Sequence, residues 1–346
     1  MRFYQEQHGF YGGVDLHARS MHVCVVDQAS RVQVHKNIEA RPDHFLALVR
    51  PFRENLVIGA ECMFAWYWLA DLCAEEKIPF VLGHALYMKA IHGGKSKNDK
   101  IDSHKIALLL KGGMLPLAYA YPKPMRATRD LLRRRTKLVR VRAEALAHVQ
   151  NTVSQYNLPP LSKKLQFAAN REGVAELFTD ESVQRMVQAD LDLIGHVDEQ
   201  VKSLELYLTR HAKIDDPQAY HLLQTIPGVG KVLALIMLYE MHESARFGDQ
   251  RHFVSYCRLV RPVHESAGKK SASRGHKIGN AHLRWAFGEA ACLKLRELPA
   301  AQAYVAKKEK QHGKAKAISI LAARIARTAW LMLQRKEAFD ATKFLK

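Results

Sequence analysis

Residues 12–38 read GGVDLHARSMHVCVVDQASRVQVHKNI, and their pattern decides the fold class. Gly12 to His17 is a short apolar segment, and Met21 to Asp27 is a run of β-branched and apolar residues. Arg31 to Ile38 alternates partly with period two, as a half-exposed strand does. A meander of three strands is therefore predicted. Working outward, the pattern predicts a helix over Asp43–Phe52, a strand over Leu56–Ala60 and a helix over Ala65–Glu76. A strand over Pro79–Leu82 and a helix over Ala85–Ile91 follow. Strands in meander, then helix and strand in alternation, imply a mixed sheet covered by helices.

Pro116, Pro122 and Pro124 mark a boundary, after which the chain reads as mainly α. Met125 to Gln155 is helical and basic; Pro122 to Gln150 holds nine Lys or Arg against two acids. Asn157 to Pro160 (NLPP) breaks that helix. A second long helix, Glu181–Ala212, places Leu191, Ile194, Val197, Val201, Leu204 and Leu208 at spacings of three and four, as in a helical hairpin or coiled coil. Three regions are expected: 1–122 (α/β), 123–214 (basic helical, coiled-coil) and 215–346 (mainly helical).

The chain of 346 residues carries 53 Lys+Arg against 34 Asp+Glu, a net charge of +19. Such a surplus implies a polyanionic partner, of which nucleic acid is the commonest. A membrane surface is the rival, but no stretch reaches the roughly eighteen uncharged residues of a spanning helix. Glu61 interrupts Asn55–Ala70, and Arg324 and Arg327 interrupt Ala317–Gln334. The N-terminus lacks the apolar core of a signal peptide, so a soluble, intracellular (cytoplasmic) chain is expected. Cys24, Cys62, Cys73, Cys257 and Cys292 are scattered without a CxxC pair, which argues against disulfides and thiolate zinc sites. The eighteen histidines form no ligand motif and are expected to be mostly solvated.

Four acids carry the strongest chemical signal. Asp15 lies in the first strand, Glu61 just beyond a later strand, and Asp99 and Asp102 at a helix start, where i and i+3 share a face. Carboxylates gathered in this order from a mixed sheet are the hard oxygen donors that Mg²⁺ takes; taken singly, each acid reads as a strand or helix end. Lys95, Lys97, Lys100 and Lys105 interleave with them, as a mixed-charge surface or as phosphate ligands. Thr225 to Leu233 (TIPGVGKVL) resembles a helix-hairpin-helix turn, in which Gly228 and Gly230 let backbone N–H groups approach a phosphate; a plain tight turn explains it equally. The stretch His264–Arg284 is rich in glycine and serine and studded with Lys269, Lys270, Arg274 and Lys277. It reads as a phosphate-gripping loop, or as one that sets a serine hydroxyl beside phosphate. Arg133, Arg134, Arg135 and Lys137 of the basic helix are further nucleic-acid candidates.

Taken together, GVDLHA, Glu61, KNDKID, IPGVGKVLA and SAGKK…GHKIGNAHLR resemble the DEDD transposases of bacterial insertion sequences, of the IS-one-ten type related to the Piv DNA invertase. The resemblance implies an RNase H-like, RuvC-like N-terminal domain, a coiled-coil insertion and a C-terminal transposase domain. It implies Mg²⁺ on Asp15, Glu61, Asp99 and Asp102, and a serine that attacks donor and target DNA to form a phosphoserine. It further implies a bridge RNA that pairs with both DNAs. The family's Ser-Gly pattern falls on Ser266, with Ala267 intervening before Gly268, so Ser271 and Ser273 remain alternatives. A site drawing on both ends of the chain forms within one chain or across a dimer, and a homo-oligomer, dimer or tetramer, is expected. Two other readings stand beside this one: a RuvC-like nuclease or junction resolvase using metal-activated water, and a non-catalytic nucleic-acid-binding protein.

Overall fold

The structure is a computed structural model that describes residues 2–91, 98–260, 263–266, 269–272 and 278–344. Of the residues singled out above, Lys95, Lys97, Ser273, Arg274 and Lys277 lie outside the described residues. The chain divides into two compact units, Met1–Lys123 and Pro124–Lys346.

The first unit is built on a five-stranded mixed sheet of order β3-β2-β1-β4-β5. Central β1 (Phe10–Leu16) pairs antiparallel with β2 (Ser20–Asp27), which pairs antiparallel with β3 (Val32–Glu39). On its other side β1 runs parallel to β4 (Leu56–Glu61), and β4 parallel to β5 (Phe80–Gly83). The helices are α1 (Pro42–Val49), α2 (Trp66–Glu75), α3 (Ala85–Ile91) and α4 (Asp99–Lys111). Two differences from the sequence reading matter. Glu61 is the last residue of β4 rather than a residue beyond it. The helix expected to reach Phe52 gives way to a 3₁₀ turn at Arg50–Asn55, because Pro51 has no N–H to continue an α-helical ladder.

Side chains alternate across β1. Val14 and Leu16 join a core with Phe45, Val49, Leu69 and Cys73 on the α1 and α2 side. Tyr11 joins Val57, Ile106, Ala107 and Leu110 on the α4 side, and Gly13 and Asp15 share that second face. A Cβ on Gly13 would stand 2.1 Å from the Ser103 carbonyl oxygen and 2.4 Å from the Ala107 nitrogen. Helix α4 therefore lies directly on the β1 backbone.

In the second unit α5 (Lys123–Gln155) and α6 (Glu181–Asp215) run antiparallel. Their ion pairs Arg135–Glu205, Arg142–Asp198 and His148–Asp190 advance along one helix as they retreat along the other. Ala145, Val149 and Val153 pack with Val183, Val187, Leu191 and Ile194 between them. The remainder comprises α7 (Pro217–Gln224), α8 (Lys231–Met241), α9 (Gln250–Tyr256), the hairpin β6 (Val263–Ser266) and β7 (Lys269–Ala272), α10 (Ala281–Glu297), α11 (Pro299–His312), α12 (Lys314–Arg335) and α13 (Ala341–Phe344). Helix α8 is buried on all sides from Leu233 to Met241, which is how a helix apolar around its whole circumference behaves. Among the described residues no helix is long and apolar enough to cross a membrane.

Candidate functional site

Asp15 is the penultimate residue of β1 and is 7% exposed. Val14 pairs with Ala60 in the parallel register, so one residue further on Asp15 stands beside Glu61, on the face that α4 covers. Helix α4 runs antiparallel to β1: Ser103 and Ala107 lie over Gly13, while Asp99 reaches the carboxyl end of the strand. Asn98 caps the helix, its side chain accepting from the Ile101 N–H at 2.8 Å. The first turn is pinned again by His35, whose Nε2 lies 2.9 Å from the Lys100 carbonyl. Asp102 sits one turn before Ile106, which packs over Gly59 of β4, and its carboxylate lies 3.8 Å from Lys105 Nζ.

His17 completes this arrangement. Its Nε2 lies 3.6 Å from the Asp15 carboxylate and 3.3 Å from that of Asp99. The ligand atoms of Asp15, His17 and Asp99 all fall within 4.8 Å of one another; Glu61 and Asp102 stand outside that group. The donor set fits a divalent cation: two carboxylates of the kind Mg²⁺ or Mn²⁺ takes, with an imidazole that adds a softer donor. The start of α4 contributes the positive end of its dipole, which stabilises these acids in the absence of metal. Sequence reasoning missed His17, although a residue two beyond Asp15 along a strand faces the same way.

The candidates in the second unit separate into two kinds. Arg133 Nε donates to Glu240 Oε1 at 2.6 Å, and Arg135 pairs with Glu205, so these two are engaged with the chain's own acids. Arg134 and Lys137 are exposed. Gly228 adopts φ +87°, and a Cβ there would stand 2.8 Å from the Lys294 nitrogen and 2.9 Å from the Ala290 carbonyl of α10. The close approach that demands glycine at this turn is thus to α10. Gly230, at the start of α8, has open space around it. Ser266 ends β6, paired in register with Lys269 across the hairpin; Ser271 pairs with His264, and Lys270 with Glu265.

Sequence reasoning also passed over Glu240, an acid 1% exposed inside the apolar run of α8. Burial alone would raise its pKa, yet the hydrogen bond from Arg133, the charges of Arg129 and Arg133 and the Asn280 amide hold it down at about 2.

Residues 12–158 match a family model of DEDD type described as "Transposase", and residues 220–306 match one described as "Transposase IS116/IS110/IS902 family". The chain belongs to the IS110 family of transposases. At 21% identity over 337 residues, 94% of this chain and 90% of the relative, it is also similar to the transposase for insertion sequence element IS1111A of Coxiella burnetii (strain RSA 493 / Nine Mile phase I). The transposase is accordingly an enzyme of DNA transposition, and the acidic face of its first unit belongs to the matched DEDD region.

Proposed function

We propose that this transposase is a Mg²⁺-dependent, site-specific recombinase of its insertion sequence that joins strands through a phosphoserine. The observation that carries the reading is the convergence of Asp15 and Asp99 with His17 at the carboxyl end of β1, on the face that Glu61 and Asp102 also border. A sheet of order β3-β2-β1-β4-β5 with acids at the ends of β1 and β4 supports an RNase H-like, RuvC-like unit. Within the second unit we read residues 123–214 as the nucleic-acid-binding helical region, with Arg134 and Lys137 as its outward cations. Residues 215–346 form the region that carries Ser266.

Asp15, Asp99 and His17 would hold the cation, with Glu61 and Asp102, at the border of the group, as the further donors. Bound there, Mg²⁺ supplies Lewis acidity to a phosphoryl oxygen. The Ser266 hydroxyl attacks phosphorus, its proton passes to solvent or a neighbouring base, and the displaced strand leaves with its hydroxyl. A hydroxyl of the partner strand then attacks the phosphoserine and restores the serine, so one bond breaks for each formed. Lys269, paired in register with Ser266, is a cation for the transferring phosphate, and Lys270 follows it in the same strand. Donor and target DNA are the substrates, a bridge RNA supplies sequence choice, and a homo-oligomer brings two such sites to two strands.

The test is a denaturing gel of the protein purified with its element's RNA and mixed with donor and target DNA in Mg²⁺. An adduct is expected from wild type and from neither Ser266→Ala nor Asp15→Ala. Undiminished adduct from Ser266→Ala overturns the serine assignment, and free cleaved ends that need Asp15 but no adduct establish a metal-dependent nuclease instead.

A further inference from the structure

Three segments of the second unit meet at one buried carboxylate. Glu240 Oε1 accepts from Arg133 Nε at 2.6 Å; Oε2 accepts from Arg129 Nε at 3.0 Å, Arg133 Nη2 at 2.9 Å and Asn280 Nδ2 at 2.7 Å. The other end of the Asn280 amide caps α10, its Oδ1 accepting from the His282 and Leu283 N–H groups at 2.9 and 3.0 Å. The Asn280 N–H itself donates to the Tyr256 carbonyl at the end of α9, at 2.6 Å. One residue earlier, Gly279 adopts φ +99°, and a Cβ there would stand 2.5 Å from that same carbonyl. Arg258 Nε donates to the Gly279 carbonyl at 2.9 Å. The chain returning from the β6–β7 hairpin is thus held at Gly279 and Asn280 from three sides.

A helix cap needs only the asparagine oxygen. It does not need an acid in the middle of Leu233–Met241, where burying an ion costs several kcal/mol unless it is paired. What the carboxylate adds is orientation. It turns the Asn280 amide so that oxygen faces α10 and nitrogen faces α8, and it holds Arg129 and Arg133, four apart on one face of α5. Arg134 and Lys137 lie on another face of the same helix and are exposed. Helix α5 therefore presents cations in two directions, one set to solvent and one set to the root of the hairpin.

We infer that Glu240 is a positioning residue of the transposase, clamping the root of the β6–β7 hairpin to the basic helix α5, and that Arg129 and Arg133 serve this clamp rather than nucleic acid. The inference rests on the reading of Ser266 as the nucleophile that the hairpin carries.

The test separates affinity from chemistry. Affinity is read with a fluorescein-labelled duplex DNA of arbitrary sequence across a salt series; chemistry is read as the rate of adduct formation at saturating donor and target DNA. Glu240→Gln is expected to bind the duplex within twofold of wild type with the same salt slope, and to form adduct at least tenfold more slowly. Arg134→Gln and Lys137→Gln are expected to weaken binding, each lowering the slope by about 0.9. Combining Glu240→Gln with Asn280→Asp moves the negative charge to the adjacent residue and reverses the donor and acceptor between them. This double variant is expected to recover the rate to within threefold of wild type. A wild-type rate in Glu240→Gln, or a double variant no faster than the slower single one, overturns the clamp. Should Glu240→Gln melt below the assay temperature, Arg133→Gln, which removes two of the four hydrogen bonds to Glu240, is read instead: duplex affinity within twofold of wild type with adduct at least tenfold slower supports the clamp, and a wild-type rate overturns it. Full adduct from Ser266→Ala refutes the serine reading; loss of adduct there beside a wild-type rate in Glu240→Gln refutes the clamp alone.

Discussion

Gly13→Ala is the most economical way to test whether α4 builds the acidic site. The added methyl would meet the Ser103 carbonyl at 2.1 Å and the Ala107 nitrogen at 2.4 Å, both backbone atoms, whereas ordinary contact begins at 3.4 Å. Neither atom swings aside as a side chain does, so α4 must retreat from β1 by roughly 1.3 Å, the difference between 2.1 and 3.4 Å. Overpacking of this kind costs about 1–3 kcal/mol, which the first unit can survive. The site cannot, because Asp99 rides on the displaced helix while Asp15 stays on the strand. Metal–ligand distances tolerate about 0.2 Å, and a 1 Å misplacement near reacting groups costs on the order of 100-fold in rate. Gly12→Ala is the control: its methyl points to the opposite face and crowds the Ile58 Cδ1 tip at 2.5 Å, which can rotate away, while Val57 O and Leu56 Cδ1 stand at ordinary contact, 3.6 and 3.7 Å. The assay is Mg²⁺-dependent strand cleavage together with the rise in melting temperature on adding Mg²⁺ or Mn²⁺. Gly13→Ala is expected to lose both and Gly12→Ala to keep both. Cleavage and metal response in Gly13→Ala within threefold of wild type would refute the argument.

Three further outcomes follow from groups described above or packed beside them. Replacing His17 by alanine removes the softer donor, so Mn²⁺-supported cleavage should fall more than Mg²⁺-supported cleavage; an unchanged ratio places His17 outside the metal's ligands. Glu240 titrates at about 2 when folded against 4.5 ordinarily, so its contribution, about 3 kcal/mol, is present above pH 4.5 and lost as pH falls through 2. Denaturant unfolding should accordingly show the gap between wild type and Glu240→Gln closing over that window. Lys294 is fully buried, its Nζ 3.8 Å from the ring centres of both Phe339 and Phe344 and without a hydrogen-bond partner among the described residues. Burial lowers its pKa from 10.5 to about 8, so the folded state binds the proton less well and stability rises with pH between those values. Lys294→Met should melt higher than wild type at pH 7, with the advantage shrinking by pH 10; a lower melting point at pH 7 would show that the stacked cation outweighs its burial.

The fold was legible where its signals are local. The run Met21–Asp27 and the period-two stretch after it became β2 and β3 within a residue or two, because β-branched residues and alternation report directly on pairing and burial. Asp99 and Asp102 were legible as a pair because their spacing is a helical one. What could not be read was which member of a charged set turns inward. Arg133 finds Glu240 across 107 residues of chain and Arg135 finds Glu205 across 70, and nothing near either arginine marks that choice. Glu240 did carry a signal, since a lone acid in LALIMLYEM must be partnered if the run is buried. Gly228 shows the reverse: the sequence marks a turn that takes glycine, but not that the backbone approaching it is that of α10, far off in sequence.

The sheet of the first unit also sets the order in which a dangerous chemistry becomes possible. Strands β1, β2 and β3 pair with near neighbours and can form as soon as they leave the ribosome, whereas non-local contacts form later. Asp99 follows Asp15 by 84 residues, and α4 seats itself only on a strand already in place. A nascent chain therefore carries Asp15 before Asp99 and its helix exist to join it at His17. The acidic cluster is complete only once residue 99 and the helix it opens have been made, and on the reading of Ser266 as the nucleophile strand cleavage waits for residue 266 of 346 as well, so a product truncated before that point lacks half of the proposed chemistry.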